Sequence, residues 1–449
     1  MKPTTGKAEA EEAQPEAPPP DPSSAQKRAT VRMLMLSLFQ SVVQHVLVLQ
    51  SEVMLFSQAC GGDPGKTARA LVNTTGITGV LGLVVNQVGG KLSDALGRKH
   101  FFHVGPLANI VCGLLVCLRP KSLGVLMFTR ILKLMATTFS GSVMCQSSLM
   151  DVVSGKEMAV VGSQVNSWVG VAVVGSPFLE SLLLKLGRND PRTTYFALAV
   201  LAAAQSSLNS LAMPETLAVA KRASISKFFE SVASINPFSF VSVYTSSNRI
   251  LKKLVTIQTL QYFLEGKCTS ELFQMWARNN LRWTNDNIRN FVAFWGAMVT
   301  GGGMFLHPYL LKTLSIRSYT SFTNICLWMG ISLHGLAEKG ACMWLGVPLL
   351  TPGVNGGSTH AVRSLANDIA VAEGYGNGEF TAWTNNLRAL GTSMAAVLYG
   401  QWYARCQEKG VYAGSAWWIA AFLGGLLPQL ILGTMPQSEL EPPAAKAKG

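Results

Sequence analysis

Residues 90–100 read GKLSDALGRKH, a charged stretch set between two long apolar runs, 71–90 and 101–118. A charge at bilayer depth costs about 2.5–3.5 kcal/mol on insertion scales. An apolar span must therefore end before Lys91, Asp94, Arg98 and Lys99. The stretch reads as a very short charged turn joining two membrane helices. Gly90 and Gly97 are expected to let backbones turn or pack closely, and Asp94 and Arg98, four apart, can meet on one helical face.

The composition agrees. The chain has 449 residues, 49% of them hydrophobic and only 14% charged, whereas soluble domains carry about 25% charged residues. The expected partner is a lipid bilayer. The formal charge of +13 raises the question of nucleic acid, but the basic residues are scattered through short loops, with no basic helix or aromatic-studded patch. No nucleic-acid partner is expected. The eight cysteines include no CxxC pair, so neither a metal site nor a cofactor is expected. Cys60 and Cys406 fall in expected outer loops and can pair, which the sequence leaves open. The segment CGGDPGKT at 60–67 imitates a phosphate-binding loop, yet Cys60 takes the first glycine position and a membrane helix precedes it. It is read as the first outer loop. No catalytic spacing of Ser, His, Asp or paired carboxylates stands out, so the chain is not read as an enzyme.

Residues 1–29, rich in Pro, Ala, Glu and Ser, are expected to be a disordered tail. Twelve spans of roughly 20 residues follow: 31–56, 71–90, 101–118, 122–150, 158–186, 193–213, 251–274, 288–311, 319–337, 340–362, 378–404 and 411–434. The expected fold is all-α and polytopic, with one six-helix bundle over 30–213, a linker over 214–250, a second bundle over 251–434 and a tail over 435–449. The halves look like a weak repeat, since YLLKTLSIRSY near the end of the eighth span takes the place of GKLSDALGRKH. Lys27, Arg28, Lys221, Arg222, Lys227, Lys252 and Lys253 share a side with the Asp94 turn, against Arg119, Arg188, Arg192, Arg278 and Arg282 opposite. That bias puts both termini in the cytoplasm.

The charged turn resembles the loop between helices 2 and 3 of the major facilitator superfamily, where Gly, Asp, Gly-Arg and a following base recur at this spacing. Arg130 in FTRILK, Asp151 at the end of the fourth span, Met213-Pro214-Glu215-Thr216 after the sixth and GNGEFTAWTNNLRALG opening the eleventh extend the resemblance over about 31–435. The last of these, with Asn236-Pro237-Phe238 and Ser176-Pro177, is similar to the tetracycline-resistance-like and hippocampus-abundant-transcript-like branch. The resemblance implies a monomeric transporter that moves a small organic solute by alternating access, with proton coupling, as an uncoupled uniporter, or as a transport-inactive receptor or scaffold. It also implies an inner-gate cluster of Gly90, Asp94, Gly97, Arg98, Lys99, Arg130 and Asp151, gathered where the inner ends of helices 2 to 5 meet. In the fifth span, Gly170, Gly175, Ser176 and Pro177 are followed by Phe178, Leu179 and Glu180, so the paired glycines of the antiporter pattern are missing.

Polar stripes mark a candidate cavity. Gln258, Gln261, Tyr262 and Glu265 fall at i, i+3, i+4 and i+7, and Thr381, Asn385, Arg388 and Thr392 form a second face. Gln40, Gln44 and His45 add a third. Polar groups facing lipid are costly, so these face protein or water. Glu265 is the expected proton-coupling carboxylate and Glu180 the second candidate. An Arg388 near enough to Glu265 would instead hold it charged.

Overall fold

Polar helix formers start the first helix. Ala25, Gln26, Lys27 and Arg28 all favour helix, Thr30 Oγ1 donates to the Gln26 carbonyl at 3.0 Å, and α1 runs Ser24–Val46. Residues 24–29 are thus helical, which shortens the expected disordered tail. The computed structural model describes residues 24–153, 155–217, 222, 236, 238, 240–246, 248–265, 267–336, 340–353, 357–375 and 377–440, and their regular structure is all helical. Residues 1–23, the tail beyond 440 and most of the expected linker lie outside the described residues.

After a break at Leu47 and Val48, α2 covers Leu49–Ala59. α3 (Pro64–Leu96) starts under Asp63, whose Oδ1 accepts from the N–H groups of Gly65 and Lys66 at 2.8 and 3.0 Å. CGGDPGKT is therefore a capped helix start with proline in its first turn. α3 continues through GKLSDAL to Leu96, so about two turns expected as loop are helix. Lys, Leu and Ala favour helix, and long charged side chains can reach headgroup depth. The turn narrows to Gly97, at φ 97°, and Arg98. A 3-10 helix over Lys99–His103 then feeds α4 (Val104–Leu118).

α5 (Leu123–Thr137) and α6 (Met144–Val152) are joined by a π-helical turn. α7 (Gly155–Leu186) contains Pro177, and α8 (Arg192–Ala212) ends the first half. In the second half, α9 (Arg249–Gln261) passes through a 3-10 turn and an extended Glu265 into α10 (Lys267–Asn279). Next come α11 (Asn285–Gly301), α12 (His307–Thr313), α13 (Ile316–Gly335), α14 (Ala341–Leu350), α15 (Gly357–Ala372), α16 (Asn377–Lys409), α17 (Ser415–Ala421) and α18 (Leu427–Gly433). Among the described residues, seven helical segments are long and apolar enough to cross a membrane, covering the six expected spans of the first half and the last of the second. The other expected spans coincide with helices that are interrupted or more polar. Cys406, expected in a loop, lies in α16, and both it and Cys60 are free thiols.

Helices separated by a loop run antiparallel, whereas those joined only by a 3-10 or π turn continue in one direction. The face with the Gly97 turn is called near, and the face with the loops at 60–63, 119–122, 187–191 and 280–284 is called far. One apolar core fills the far part of both halves, joining Phe56, Leu71 and Tyr195 to Trp276, Tyr399 and Trp417. Toward the near face the core divides. Leu34, Phe102, Met144 and Leu149 belong to a cluster of the first half alone, and Leu254, Val362, Phe380 and Leu432 to one of the second.

The far seam depends on small residues. A Cβ on Gly76, Gly79 or Gly400 would collide with the side chain of Val397, Ser393 or Val72, so side chains of α3 and α16 seat directly on glycines of the facing helix. α7 meets α11 the same way, through Gly170 against Thr300 and Gly296 against Val173 and Val174. Charges fasten the rim. Arg69 pairs with Glu408 at 2.6 Å, Gln401 donates to Asn73 at 2.8 Å, and Lys185 lies 3.7 Å from Asp286. Gly90 has open space within 4 Å, so it serves no close packing here, contrary to expectation. Gly400→Ala should therefore overpack the seam by about 1–3 kcal/mol. Gly90→Ala should gain up to about 1 kcal/mol of helix propensity. Thermal unfolding in detergent checks both, and equal melting temperatures would mean that the seam is loose.

Candidate functional site

Two charged sites lie between helices, and they differ in their access to water. In the first half Glu52 of α2 is 3% exposed and pairs with Arg130 and, at 2.7 Å, with Lys133, both on α5. Arg130 also donates to Thr74 Oγ1 at 2.9 Å and Thr75 Oγ1 at 3.0 Å on α3, and Tyr195 Oη donates to Glu52 at 3.3 Å. Four helices thus converge on one carboxylate facing two cations. The expected grouping of Arg130 with Asp94, Arg98 and Asp151 is corrected. Thr75 and Asp94 are separated by roughly 30 Å of helix at ~1.5 Å per residue, and Arg130 belongs to the far end. FTRILK shows the arginine, but its partner Glu52 sits in a polar-looking first span where spacing gives no signal.

At the near face, Arg98 Nη1 pairs with Asp94 at 2.7 Å and its Nε with Asp151 at 3.1 Å. Glu215 completes the cluster. It accepts from the N–H groups of Arg98, Lys99 and Leu217 at 2.9, 3.3 and 3.0 Å, with Arg222 3.3 Å away. Gly97 is needed beside it, because a Cβ there would sit 2.4 Å from Glu215 Oε2. Partial burial pushes the Glu215 carboxyl up, but the three N–H donors and Arg222 outweigh it and hold it below the ordinary carboxylate range. These contacts join α3, α6 and the end of α8, all in the first half.

The second site lies at the junction of α9 and α10. The expected stripe is broken there, because the helix tightens over Tyr262–Leu264 and Glu265 is extended. Glu265, 12% exposed, accepts from Arg388 Nε at 2.5 Å and from Thr359 Oγ1 at 3.4 Å. Arg388 is 54% exposed although it lies well inside the long α16. Asn385, one turn earlier, accepts from Arg363 Nη2 of α15 at 3.2 Å. Asn385 and Arg388 lie one turn apart on α16, which brings Arg363 near the Glu265–Arg388 pair.

The other expected cavity residues are packing groups. Gln44 donates to Gln205 at 2.7 Å and accepts from Asn109 at 2.8 Å, while Gln261 donates to Asn324 at 2.8 Å. Gln258 and Tyr262 are buried and bond each other. Gln40 keeps a buried Oε1 without a partner. Glu180 has a separate task. The break after Val46 leaves the first N–H groups of α2 unpaired, and Glu180 accepts from Gln50 N–H at 3.3 Å and from Ser51 N–H and Oγ at 2.8 Å each. It caps a helix across the gap between α7 and α2.

No family model matches the sequence, and no curated protein matches it significantly. Solved structures do match in shape. The human organic anion transporter MFSD10 (TETRAN) aligns at a TM-score of 0.63 with 17% identity, over 90% of this chain and 99% of that one. The nucleoside transporter NupG aligns at 0.63 with 9% identity, over 91% and 100%. The xylose transporter XylE from E. coli, in a partially occluded inward-open conformation, aligns at 0.64 with 11% identity, over 92% and 98%. The chain has the major facilitator transporter fold and is an integral, multi-pass membrane protein.

Two outcomes follow. Removing one partner of a buried ion pair costs about 3–5 kcal/mol, so Glu52→Gln should strongly lower the melting temperature, and adding Lys133→Met should recover part of the loss. An unchanged melt in Glu52→Gln would rule out a buried triad. Because the folded Glu215 carboxyl lies below its unfolded value, its contribution is complete at neutral pH and fades as pH falls through the carboxylate range. Glu215→Gln should cost about 1 kcal/mol at pH 7, with the difference from wild type shrinking as pH is lowered below about 4.5. A deficit that stays constant with pH would remove the charge from the account.

Proposed function

We propose that this chain carries a small organic solute across a membrane by alternating access, and that the conformation described is open to the near face. The observation that carries this reading is the division of the core. One continuous apolar core and a glycine seam close the two halves at the far face, while two separate cores stand apart toward the near face. A half-exposed Arg388 deep within the helical layer is what an aqueous cavity entered from that side would produce. The matched structures are an organic anion, a nucleoside and a xylose transporter, all of small solutes.

The near face is assigned to the cytoplasm with both termini, on the lysines and arginines counted there, and one chain suffices because seam and cavity are formed within it. The Asp94, Arg98 and Asp151 cluster is assigned to the inner gate. Here it braces the first half, and it becomes available to the second when the near face closes. The branch similar to tetracycline-resistance-like proteins remains part of the proposal. Glu265, the first coupling candidate, is paired with Arg388, which favours the uncoupled uniporter over the proton-coupled form.

Locking the far seam tests the reading. Asn73→Cys with Gln401→Cys, bridged by a short bifunctional thiol reagent, should abolish solute flux in proteoliposomes, while each single variant treated alike keeps it. Flux undiminished by the bridge would sink alternating access, and no flux of any solute in wild type would leave the receptor or scaffold reading. Accumulation driven by an imposed pH gradient and lost in Glu265→Gln would instead establish proton coupling there.

A further inference from the structure

The place where α9, α15 and α16 meet has an unbalanced charge. Arg363 and Arg388 bring two guanidiniums, which are never deprotonated in proteins, and Glu265 brings one carboxylate. α9 and α13 contain no acidic residue, and α15 contains only Asp368, more than a turn nearer the near face. α16 has Glu379 at its near end and Glu408 at its far end, the latter engaged by Arg69. In the first half, Glu52 already faces two cations, Glu180 caps α2, and Asp94 and Asp151 serve Arg98. Here, as around Glu52, two cations share one carboxylate, but at this site the paired guanidinium is half exposed instead of buried.

The geometry leaves room for a further anion. Arg388 gives only its Nε to Glu265, and its two Nη groups find no partner among the described residues although the side chain is 54% exposed. A guanidinium bonded through Nε keeps its Nη edge free, and that edge is the one that receives a carboxylate bidentately. Arg363, tied to Asn385 through one Nη, stands beside it and adds a second cation to the same space.

Resting on the transport reading above, we propose that Arg388 and Arg363 form the substrate subsite, and that the substrate is an organic monoanion with a carboxylate or similarly shaped oxyanion head. Glu265 is the built-in competitor. It holds Arg388 while the cavity is empty and is displaced from it, wholly or in part, when a substrate anion arrives. Thr359 then retains Glu265 at the α9–α10 junction. The arrangement selects against cations, which meet two guanidiniums, and against neutral solutes, which leave the excess charge unmet.

The test uses the full chain in nanodiscs of zwitterionic phosphatidylcholine at constant ionic strength. Thermal stabilisation is measured with acetate, benzoate, benzenesulfonate and naphthoate, and with benzamide and benzylamine as neutral and cationic counterparts. At least one monoanion should raise the melting temperature while the amide and the amine do not. Arg388→Gln and Arg363→Gln should each weaken that response tenfold or more. Glu265→Gln should strengthen it severalfold, because the competing carboxylate is gone, a change of sign that mere disruption of the site would not give. Stabilisation by the amide or amine equal to that by the anion, no response to any anion, or a weaker response in Glu265→Gln would each overturn the proposal. If phosphatidylglycerol in the nanodisc reproduces the response and Arg388→Gln erases it, the oxyanion comes from a lipid headgroup. Flux is measured separately. Anion binding without flux keeps the subsite and removes transport, whereas flux of neutral solutes without anion binding does the reverse.

Discussion

A charge held within the hydrocarbon layer has no water to fall back on, and the whole arrangement follows from where its counter-charges come from. In the first half they are internal. Glu52 meets Arg130 and Lys133, with Thr74, Thr75 and Tyr195 filling the remaining hydrogen-bond positions, and every side chain of the ionic trio is 3% exposed or less. Such a site is rigid, since moving any of its helices uncovers a charge. In the second half Glu265 likewise stands against two guanidiniums, but there Arg388 remains half open to solvent. Burial of the whole trio suits the first half to being a fixed frame, whereas the exposed Arg388 is the group the proposal gives to the substrate.

Under the proposed alternating access, the seam must reconcile tight closure with the capacity to open. Apolar side chains interlocked across α3 and α16 would resist separation by their dispersion contacts. Glycines achieve close approach by giving small side chains such as Val72, Ser393 and Val397 room to seat, as small residues do at helix interfaces in membranes generally. The polar ties at the rim, Arg69 with Glu408 and Lys185 with Asp286, are exposed pairs worth about 0–1 kcal/mol each. A seam made this way separates at modest cost, whereas the Glu52 trio does not.

Much of this was legible in the residues, and the failures have identifiable causes. The all-α membrane fold followed from apolar runs interrupted by short charged turns, because burying charge in lipid is costly enough to override local propensity. The ends of elements were less legible. GKLSDAL is helix rather than loop, since a charged residue stops the apolar layer without stopping the helix. The polar stripes misled because Gln44, Gln258 and Gln261 present the same pattern whether they face water or another helix, and here they bond other side chains. Of the expected cavity set, Glu265, Asn385 and Arg388 come together with Arg363, which the stripes did not mark. Glu52 and Lys133 escaped because their meaning is pairwise across distant segments, and one sequence contains no term for such a pair.

The broken helices share a cause as well. The α1–α2 break exposes the N–H groups that Glu180 satisfies, and the α9–α10 break frees the backbone where Glu265 sits. Interrupted helices are tolerated in a membrane only where side chains or water take over the lost backbone bonds. The first break is filled by a carboxylate from the same half and becomes part of the frame. The second lies beside the half-exposed Arg388. Two interruptions of similar kind thus differ in surroundings, one capped by a buried carboxylate and the other set beside an exposed guanidinium.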